Sequence, residues 1–352
     1  MFRRKAAEIE TQMTDRILAM PEPLGPEWLA HRFDESSRAF RFIPCSREER
    51  ASVPFLTDDY LPAREWHSFS QRDVKAFHQH APLHFIFHSG FCCSTLLGKC
   101  FDLPGFASSF SEPLILNDIA GWRLRGAAVD DIAMALADAL RLLGRPFPGD
   151  HAAIVKPSNI LNGLAMAMLA IQPSAKAVAM HAPLEDFLIS IAKKGLDGRR
   201  WARTLFVKLR AQGCVQSLGF SDADFFEQTD LQIAAMAWLA QQSLFGTLIA
   251  NYPGRVRSLD SSAFMSETQR TVRDVASHFN LDLSNAQLAS IEAGPLARDS
   301  KSGRRFDAAD RAAEYERMRP IHGDEIEKVA AWTYEVAAAR DIAIHLPAAI
   351  AP

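Results

Sequence analysis

The stretch FIFHSGFCCSTLLGKC, residues 85–100, combines an apolar run, a turn of small residues and the start of a helix. Ser94 and Thr95 supply the small hydroxyl side chains that favour a helix N-terminus. Backbone N–H groups in a turn that leads into a helix form a site for anions, and the two hydroxyls would add donors. The stretch therefore predicts a strand–loop–helix unit that can hold a phosphate or a similar anion.

The same loop lacks the arrangement of a magnesium-dependent triphosphatase loop. That loop places Gly-Lys directly before its Ser or Thr, so that the lysine reaches the terminal phosphates and the hydroxyl holds Mg²⁺. Here Gly98-Lys99 follows Ser94-Thr95 and falls inside the predicted helix. The loop therefore favours a phosphate ligand that is bound without magnesium.

The whole chain has the composition of an ordinary globular protein. It has 352 residues, of which 48% are hydrophobic and 23% are charged, and its formal net charge is −3. Because this charge gives no electrostatic case for nucleic acid, we expect no nucleic-acid partner, and an anionic ligand would need a local basic pocket. The most apolar stretch, 232–250, is interrupted by polar residues and predicts a buried helix rather than a membrane span. We therefore expect a cytoplasmic protein, and the sequence does not indicate an oligomeric state.

Cysteines and histidines do not predict a disulfide framework or a metal site. The five cysteines have no CxxC spacing and an odd count, which favours reduced thiols. Five histidines (His67, His78, His80, His84 and His88) precede Cys92 and Cys93 in the sequence. Their spacing matches no known ligand set, so we expect no metal.

Short β-rich runs alternate with helical segments after residue 80. The predicted strands are 84–88, 107–110, 151–155, 176–180 and 255–259. The predicted helices begin at Ser94 and span 129–143, 161–171, 184–194, 230–251, 267–279 and 324–340, with a short helical or turn segment at 288–292. This alternation predicts an α/β fold, a three-layer parallel sheet of about five strands with helices on both faces.

The first 80 residues differ in character from the rest. They are rich in charge, proline and aromatic residues, and they predict helical pieces near 6–20 and 71–80. The interpretation is an N-terminal helical or irregular extension, 1–80, followed by an α/β domain, 81–345.

Polar residues follow each predicted strand. Ligands of parallel sheets bind beyond the carboxyl ends of the strands. The residues at those positions are Ser89–Thr95, Ser111-Glu112, Lys156, His181 and Asp260. We expect them to converge on one crevice.

Four segments carry a resemblance to sulfotransferases. HSGFCCSTLLGKCFDLPGFASSFSEP resembles their 5′-phosphosulfate loop, and IVKPSN resembles the lysine-bearing strand end of the tyrosylprotein-type enzymes. AKAVAMHAPLEDFLISIAKK resembles the 3′-phosphate segment, and RVRSLDSSAFMSETQRTVRDVASHFNL resembles the late strand and helix. They follow the family order over residues 82–285, and the basic loop 300–305 is a weaker fifth piece. The pattern is most similar to bacterial sulfotransferase-like and tyrosylprotein-type enzymes.

The resemblance implies a P-loop-like α/β fold and a chemistry. The donor would be 3′-phosphoadenosine-5′-phosphosulfate (PAPS), the acceptor would bear a hydroxyl, and no metal would be needed. Glu112 would act as the base that accepts the hydroxyl proton, and Lys156 would stabilise the transferring group. The implied donor-binding residues are Gly90, Phe91, Cys92, Cys93, Ser94, Thr95, His181, Ser190, Lys193 and Lys301, the last in a loop that closes over the donor.

Three residues depart from the family pattern and leave alternatives open. Phe91 stands where the family has arginine or lysine, Cys93 replaces a glycine, and His181 replaces an arginine. Ser111-Glu112-Pro113 also fits an ordinary strand end and turn. One alternative is a kinase-like phosphotransferase or nucleotide-binding protein, which would depend on Mg²⁺. The other is a non-catalytic binding module of the same fold, which Phe91 favours.

Overall fold

A five-stranded parallel sheet lies at the centre of the computed structural model, which describes residues 24–297 and 308–350. The eight strands are β1 Trp28–Asp34, β2 Ala39–Pro44, β3 His67–Ser70, β4 Leu83–His88, β5 Ala107–Ser111, β6 Ala152–Lys156, β7 Ala177–His181 and β8 Val256–Asp260. The parallel sheet has the order β5-β6-β4-β7-β8, and β1-β2-β3 form a separate antiparallel sheet. The predicted α/β class and the five parallel strands are confirmed, and each predicted strand ends within one residue of the observed one.

Thirteen helices are described in the same residues. They are α1 Arg47–Ser52, α2 Ser94–Cys100, α3 Leu114–Leu124, α4 Val129–Leu143, α5 Ala165–Ile171, α6 Leu184–Ala192, α7 Gly195–Ala211, α8 Asp222–Glu227, α9 Asp230–Asn251, α10 Ser261–Ser266, α11 Thr268–His278, α12 Asn285–Ala293 and α13 Ala308–Ala339. A 3₁₀ turn, Asn159–Leu164, precedes α5. The predicted bounds of α4 and α9 are confirmed, whereas α3 and α7 were not predicted.

Strand β4 shows why helices cover both faces of the sheet. All six of its residues are buried. Ile86 belongs to an apolar core that includes α2, α6, α7 and α9, whereas Phe85 and Phe87 belong to a second core that includes α3, α4 and α5. Successive side chains of a strand point to opposite faces, so a strand that is apolar throughout requires cover on both sides. The predicted three layers are confirmed.

The N-terminal part of the described chain contains strands that the sequence interpretation did not include. The prediction of helical or irregular structure is wrong for β1–β3, and the predicted helix 71–80 is reduced to the 3₁₀ turn Asp73–Ala76. Phe40 and Phe42 of β2 are fully buried in the second core, together with Phe85 of β4. The alternation Phe40-Arg41-Phe42 is the period of a half-buried strand. The predicted helix 6–20 lies outside the described residues, and the boundary at residue 81 stays a prediction.

Helix α9 matches its predicted role as a core helix. It is the one described helix that is long and apolar enough to span a membrane by length and composition, and 72% of its most apolar window is buried inside the protein. Trp238 Nε1 of α9 donates a hydrogen bond to Ala182 O beyond β7, at 2.9 Å. The burial of α9 is therefore explained by packing on the sheet.

The outer edge of β8 is covered by residues 348–350. Ser258 N donates to Ala348 O at 3.2 Å, and Ile350 N donates to Ser258 O at 2.9 Å. Arg257 Nη2 adds a hydrogen bond to Ala349 O at 2.6 Å. These bonds make the segment a short parallel neighbour of the edge strand.

Candidate active site

The loop between β4 and α2 has an unusual backbone. The φ angles are 93° at Gly90, 55° at Phe91 and 61° at Cys93, all in the left-handed region. Only glycine adopts that region at low cost, so Phe91 and Cys93 are strained. Such left-handed residues before a helix form a concave set of N–H groups that suits an anion.

Gly90 also lies in a tight space. A Cβ atom at this position would lie 3.1 Å from Cη2 of Trp201 and 3.2 Å from Nδ2 of Asn159. Both the φ angle and the close approach of α7 therefore require glycine.

Three buried side-chain amides donate hydrogen bonds to carbonyl groups at the end of β4. Asn159 Nδ2 and Gln241 Nε2 donate to Ser89 O at 3.1 and 3.2 Å, and Asn162 Nδ2 donates to His88 O at 3.0 Å. Asn162 Nδ2 also donates to Gln241 Oε1 at 2.9 Å, so the amides form one network. Because these bonds satisfy the carbonyl groups of the strand end, the network fixes the position at which the loop begins.

Glu112, Lys156 and His88 meet at the ends of three neighbouring strands. Lys156 Nζ lies 2.6 Å from Glu112 Oε1 and 3.4 Å from His88 Nε2. Glu112 N donates to Lys156 O at 2.7 Å, and the φ angle of Glu112 is 49°. The site thus brings the two predicted catalytic residues into one ion pair and adds His88.

The two members of this pair differ in burial. The Lys156 side chain is 0% exposed, whereas that of Glu112 is 18% exposed and lines the cleft. Lys156 Nζ also lies 5.1 Å from the centre of the Phe55 ring. Lys156 is therefore buried behind Glu112 and does not itself line the cleft.

A cleft of about 380 Å³ opens above these strand ends. Residues from the loop, among them Gly90, Ser94 and Thr95, form one wall. Glu112 lies in the same cleft, and Trp201 of α7 lines it beside the loop. The predicted convergence is therefore observed for the ends of β4 and β5, whereas after β6 the cleft is lined by Ser158, Asn159 and Ile160 and not by the predicted Lys156.

The predicted residues after β7 are placed differently. Within the described residues, the lining of the cleft does not include His181, Ser190 or Lys193. His181 and Ser190 are buried, and Lys193 is half-buried at the end of α6. Lys301 lies outside the described residues.

His181 is a neutral side chain near pH 7. Its Nδ1 lies 3.1 Å from Leu259 O, and a carbonyl can only accept, so Nδ1 carries a proton. Burial lowers the pKa of His181 to about 4, and the nearby Asp260 carboxylate opposes this shift only partly. His181 therefore does not supply the positive charge that arginine would bring to this position.

Phe91 contacts other aromatic residues. Its ring centre lies 4.8 Å from that of Trp201 and 5.9 Å from that of Phe187, in edge-to-face arrangements. Lys194 Nζ lies 5.9 Å from the Phe91 ring. The side chain thus joins the loop to α6 and α7.

Cys92 and Cys93 contribute to the loop in different ways. Cys92 is buried, its Sγ donates to Met180 O at 3.5 Å, and burial raises the pKa of its thiol. Cys93 is half-buried and stands directly before α2. All five cysteines are free. In the described part of the chain, no group of three His, Cys, Asp or Glu side chains is arranged for a metal ion.

Sequence reasoning missed the residues that reach the cleft from helices. Trp201, Thr204 and Lys208 belong to α7, and Asn117 belongs to α3. Neither helix was predicted, because α3 follows a proline directly and α7 begins with two glycines in its first turn. The i, i+3, i+7 spacing of Trp201, Thr204 and Lys208 was the available signal for a shared helix face.

Two solved structures are similar to the chain. The sulfotransferase domain from the curacin biosynthetic pathway is 12% identical, with coverage of 64% of this chain and 81% of that one and a TM-score of 0.37. Sulfotransferase STF1 from Mycobacterium tuberculosis H37Rv is 13% identical, with coverage of 71% and 78% and a TM-score of 0.38. No family model matches the chain, and no curated protein does. The low sequence identities and TM-scores assign no function to this chain.

Proposed function

We propose that this protein transfers a sulfuryl group from PAPS to a hydroxyl-bearing acceptor. The observation that carries the proposal is the meeting of two features in one cleft. An anion-binding turn, residues 90–95, leads into the N-terminus of α2, and the carboxylate of Glu112 lies in the same cleft. A sulfuryl donor needs the first feature, and an acceptor hydroxyl needs the second.

The loop would hold the 5′-phosphosulfate. Ser94 and Thr95 are buried at the start of α2 and line the cleft, so their hydroxyls and the N–H groups of the turn can donate to anionic oxygens. The positive end of the helix dipole adds to this preference for an anion. The amide network under the strand end would keep these donors in place without ligand.

Glu112 would accept the proton of the acceptor hydroxyl. The hydroxyl oxygen then forms a bond to sulfur, and the bond from sulfur to the bridging oxygen of the donor breaks. The electron pair of that bond stays on the phosphate oxygen of the departing nucleotide. As in phosphoryl transfer, most of the catalysis would come from positioning and from hydrogen-bond donors.

Lys156 would orient the base. Its ammonium group holds Oε1 of Glu112 at 2.6 Å, which leaves Oε2 as the oxygen that we assign to the acceptor proton. Ser190, Lys193 and Lys301 stay predictions for the donor, and His181 would contact it only as a neutral group.

Ligand binding tests the proposal directly. We expect 3′-phosphoadenosine-5′-phosphate, the product of the donor, to raise the unfolding temperature without Mg²⁺. A ligand at 100 times its dissociation constant adds about 2.7 kcal/mol to the free energy of unfolding. Isothermal calorimetry with the bisphosphate, ATP and ADP, each with and without Mg²⁺, gives the affinities. A response to Mg-ATP alone contradicts the proposal and favours a kinase-like protein.

A pair of threonine variants provides the matched control. Thr95→Val removes one hydroxyl donor from the cleft, so it is expected to weaken binding of the bisphosphate by about tenfold. Thr247→Val makes the same change on the exposed side of α9 and is expected to leave binding unchanged.

The second candidate is a non-catalytic binding module, which the aromatic packing of Phe91 favours. A protein of this kind binds the bisphosphate but consumes no donor. Incubation with ³⁵S-labelled PAPS and a panel of hydroxyl compounds separates the two candidates, because only transfer yields a labelled acceptor.

A further inference from the structure

One face of helix α7, which also includes the apolar Leu205, lines the cleft. Trp201, Thr204 and Lys208 all line it. Their spacing of three and four residues places them on one side of the helix, one turn apart. The face therefore begins with an aromatic ring and ends with an ammonium group.

Both ends of this face are fixed by contacts around the cleft. Trp201 lies against the loop, with its ring centre 4.8 Å from that of Phe91. At the other end, Gln212 Nε2 donates to Ile160 O at 2.6 Å, in the segment that follows β6. The position of Lys208 between these contacts is therefore set by the fold.

Lys208 differs from the arginines of the same helix, of which three are paired and the fourth, Arg200, is exposed. Arg199, Arg203 and Arg210 pair with Glu325, Asp230 and Asp222. Lys208 is half-buried and forms no ion pair with any residue that the structure describes. A half-buried cation without an internal counter-ion favours an anionic ligand.

The charges around the cleft lead to the same conclusion. The Glu112 carboxylate is neutralised by Lys156, which lies behind it. Lys208 is therefore the charge that makes the described lining of the cleft positive. Without it, the turn and the helix N-terminus would have to attract the anion through partial charges alone.

We propose that Lys208 is the cation of the anion site, binding the phosphosulfate or phosphate group that the loop holds. It supplies from α7 the positive charge that Phe91 does not supply from the loop. A lysine suits this role because its ammonium group is a compact charge on a flexible stem. The inference depends on the proposed function for the identity of the donor, although any phosphate-type anion in the cleft would require Lys208.

Binding to three variants tests this role. The probes are 3′-phosphoadenosine-5′-phosphate and inorganic pyrophosphate, measured by isothermal calorimetry. Lys208→Met is expected to weaken both by about 10- to 100-fold, the range for loss of a charged hydrogen bond. Lys208→Arg keeps the charge and is expected to stay within a few-fold of the wild type. Arg210→Met removes an exposed charge from the same helix and is expected to change neither affinity.

The outcomes separate the two proposals. Equal affinity of the wild type and Lys208→Met for both probes overturns the role of Lys208, even if the bisphosphate binds. Lys208-dependent binding of pyrophosphate without binding of the bisphosphate supports the role of Lys208 and contradicts a PAPS-dependent function. Binding of neither probe to the wild type overturns both.

Discussion

The two halves of the carboxyl edge of the sheet differ although both end in polar residues. At the β5-β6-β4 half, Glu112 and the loop around Gly90 face a cleft. At the β7-β8 half, His181 is buried against Leu259 O, and Asp260 Oδ1 accepts from Ser262 N at 2.6 Å. The rule for parallel sheets identifies the edge, but the covering helices decide which strand ends a ligand can reach.

Backbone strain follows the same division. Phe91, Cys93 and Glu112 have φ angles between 49° and 61°. Each such residue costs about 1–3 kcal/mol and persists only where the surroundings hold it. Among the described residues, the polar groups at the ends of β7 and β8 have no comparable φ angle. The β5-β6-β4 half, which we call the open half, therefore has strained residues that the β7-β8 half, the closed half, lacks. Such strain is typical of functional sites.

The largest effect is expected for Glu112, the proposed proton acceptor. Glu112→Gln keeps the shape and one acceptor oxygen but cannot take a proton, so transfer to an acceptor should fall about 10²- to 10⁴-fold. Labelled-sulfate transfer measures the rate, and circular dichroism checks that the fold persists. Turnover within a few-fold of the wild type would assign the base to another residue.

The buried ion pair predicts a large effect on stability. Lys156→Met leaves the Glu112 carboxylate without its counter-ion, so the free energy of unfolding should fall by about 3 kcal/mol. The double variant Lys156→Met with Glu112→Gln should lose less than the sum of the single losses, because neither partner is left alone. Urea denaturation of all four proteins measures this coupling, and strict additivity would mean that the pair contributes nothing.

Gly90 tests whether the open half requires its close contacts. Gly90→Ala places an alanine at a positive φ angle and brings its Cβ close to Trp201 and Asn159. Gly105→Ala also places an alanine at a positive φ angle, but its Cβ has no close neighbour. Gly105 has a φ angle of 70° and no atom within 4 Å of the added Cβ. We expect Gly90→Ala to cost about 1 kcal/mol more in free energy of unfolding than Gly105→Ala. Equal costs would indicate that the space between the loop and α7 can relax.

The smallest effect is expected from His181 in the closed half. Because its pKa is lowered to about 4, the ring is neutral from about pH 5.5 to 8 in the folded protein. His181→Gln should therefore change the affinity for 3′-phosphoadenosine-5′-phosphate by the same factor at both ends of that range. A wild-type gain at the acid end that the variant lacks would show a protonated His181 on the ligand.

The same titration affects stability. Burial lowers the pKa of His84, His181 and His278 to about 4 from 6.5. Below pH 6.5 these histidines bind protons in the unfolded chain but not in the folded chain. The free energy of unfolding therefore falls as the pH drops towards 4. Above pH 6.5 this contribution is fully present. Urea denaturation at several pH values measures the slope, which should be smaller in His181→Gln.

The sequence predicted the parallel sheet because its strands are short apolar runs between helical patterns. It also placed Glu112 and the loop at strand ends, where β-sheet geometry brings them together. The orientation of Lys156 behind Glu112 was not predictable, since it depends on the register of β5 and β6, in which Ser111 lies opposite Lys156. Lys208 was missed for a related reason, because α7 has to be placed before its lining face can be known.

Edge strand β8 gains a protective neighbour from residues 348–350. An uncovered edge presents unpaired N–H and C=O groups to any other chain that can add a strand. Here Ala348 O accepts a hydrogen bond from Ser258 N, and Ile350 N donates one to Ser258 O. A variant that ends before residue 348 would have a normal cleft but a sheet that is open to intermolecular strand pairing, and so would aggregate while it still binds its ligand.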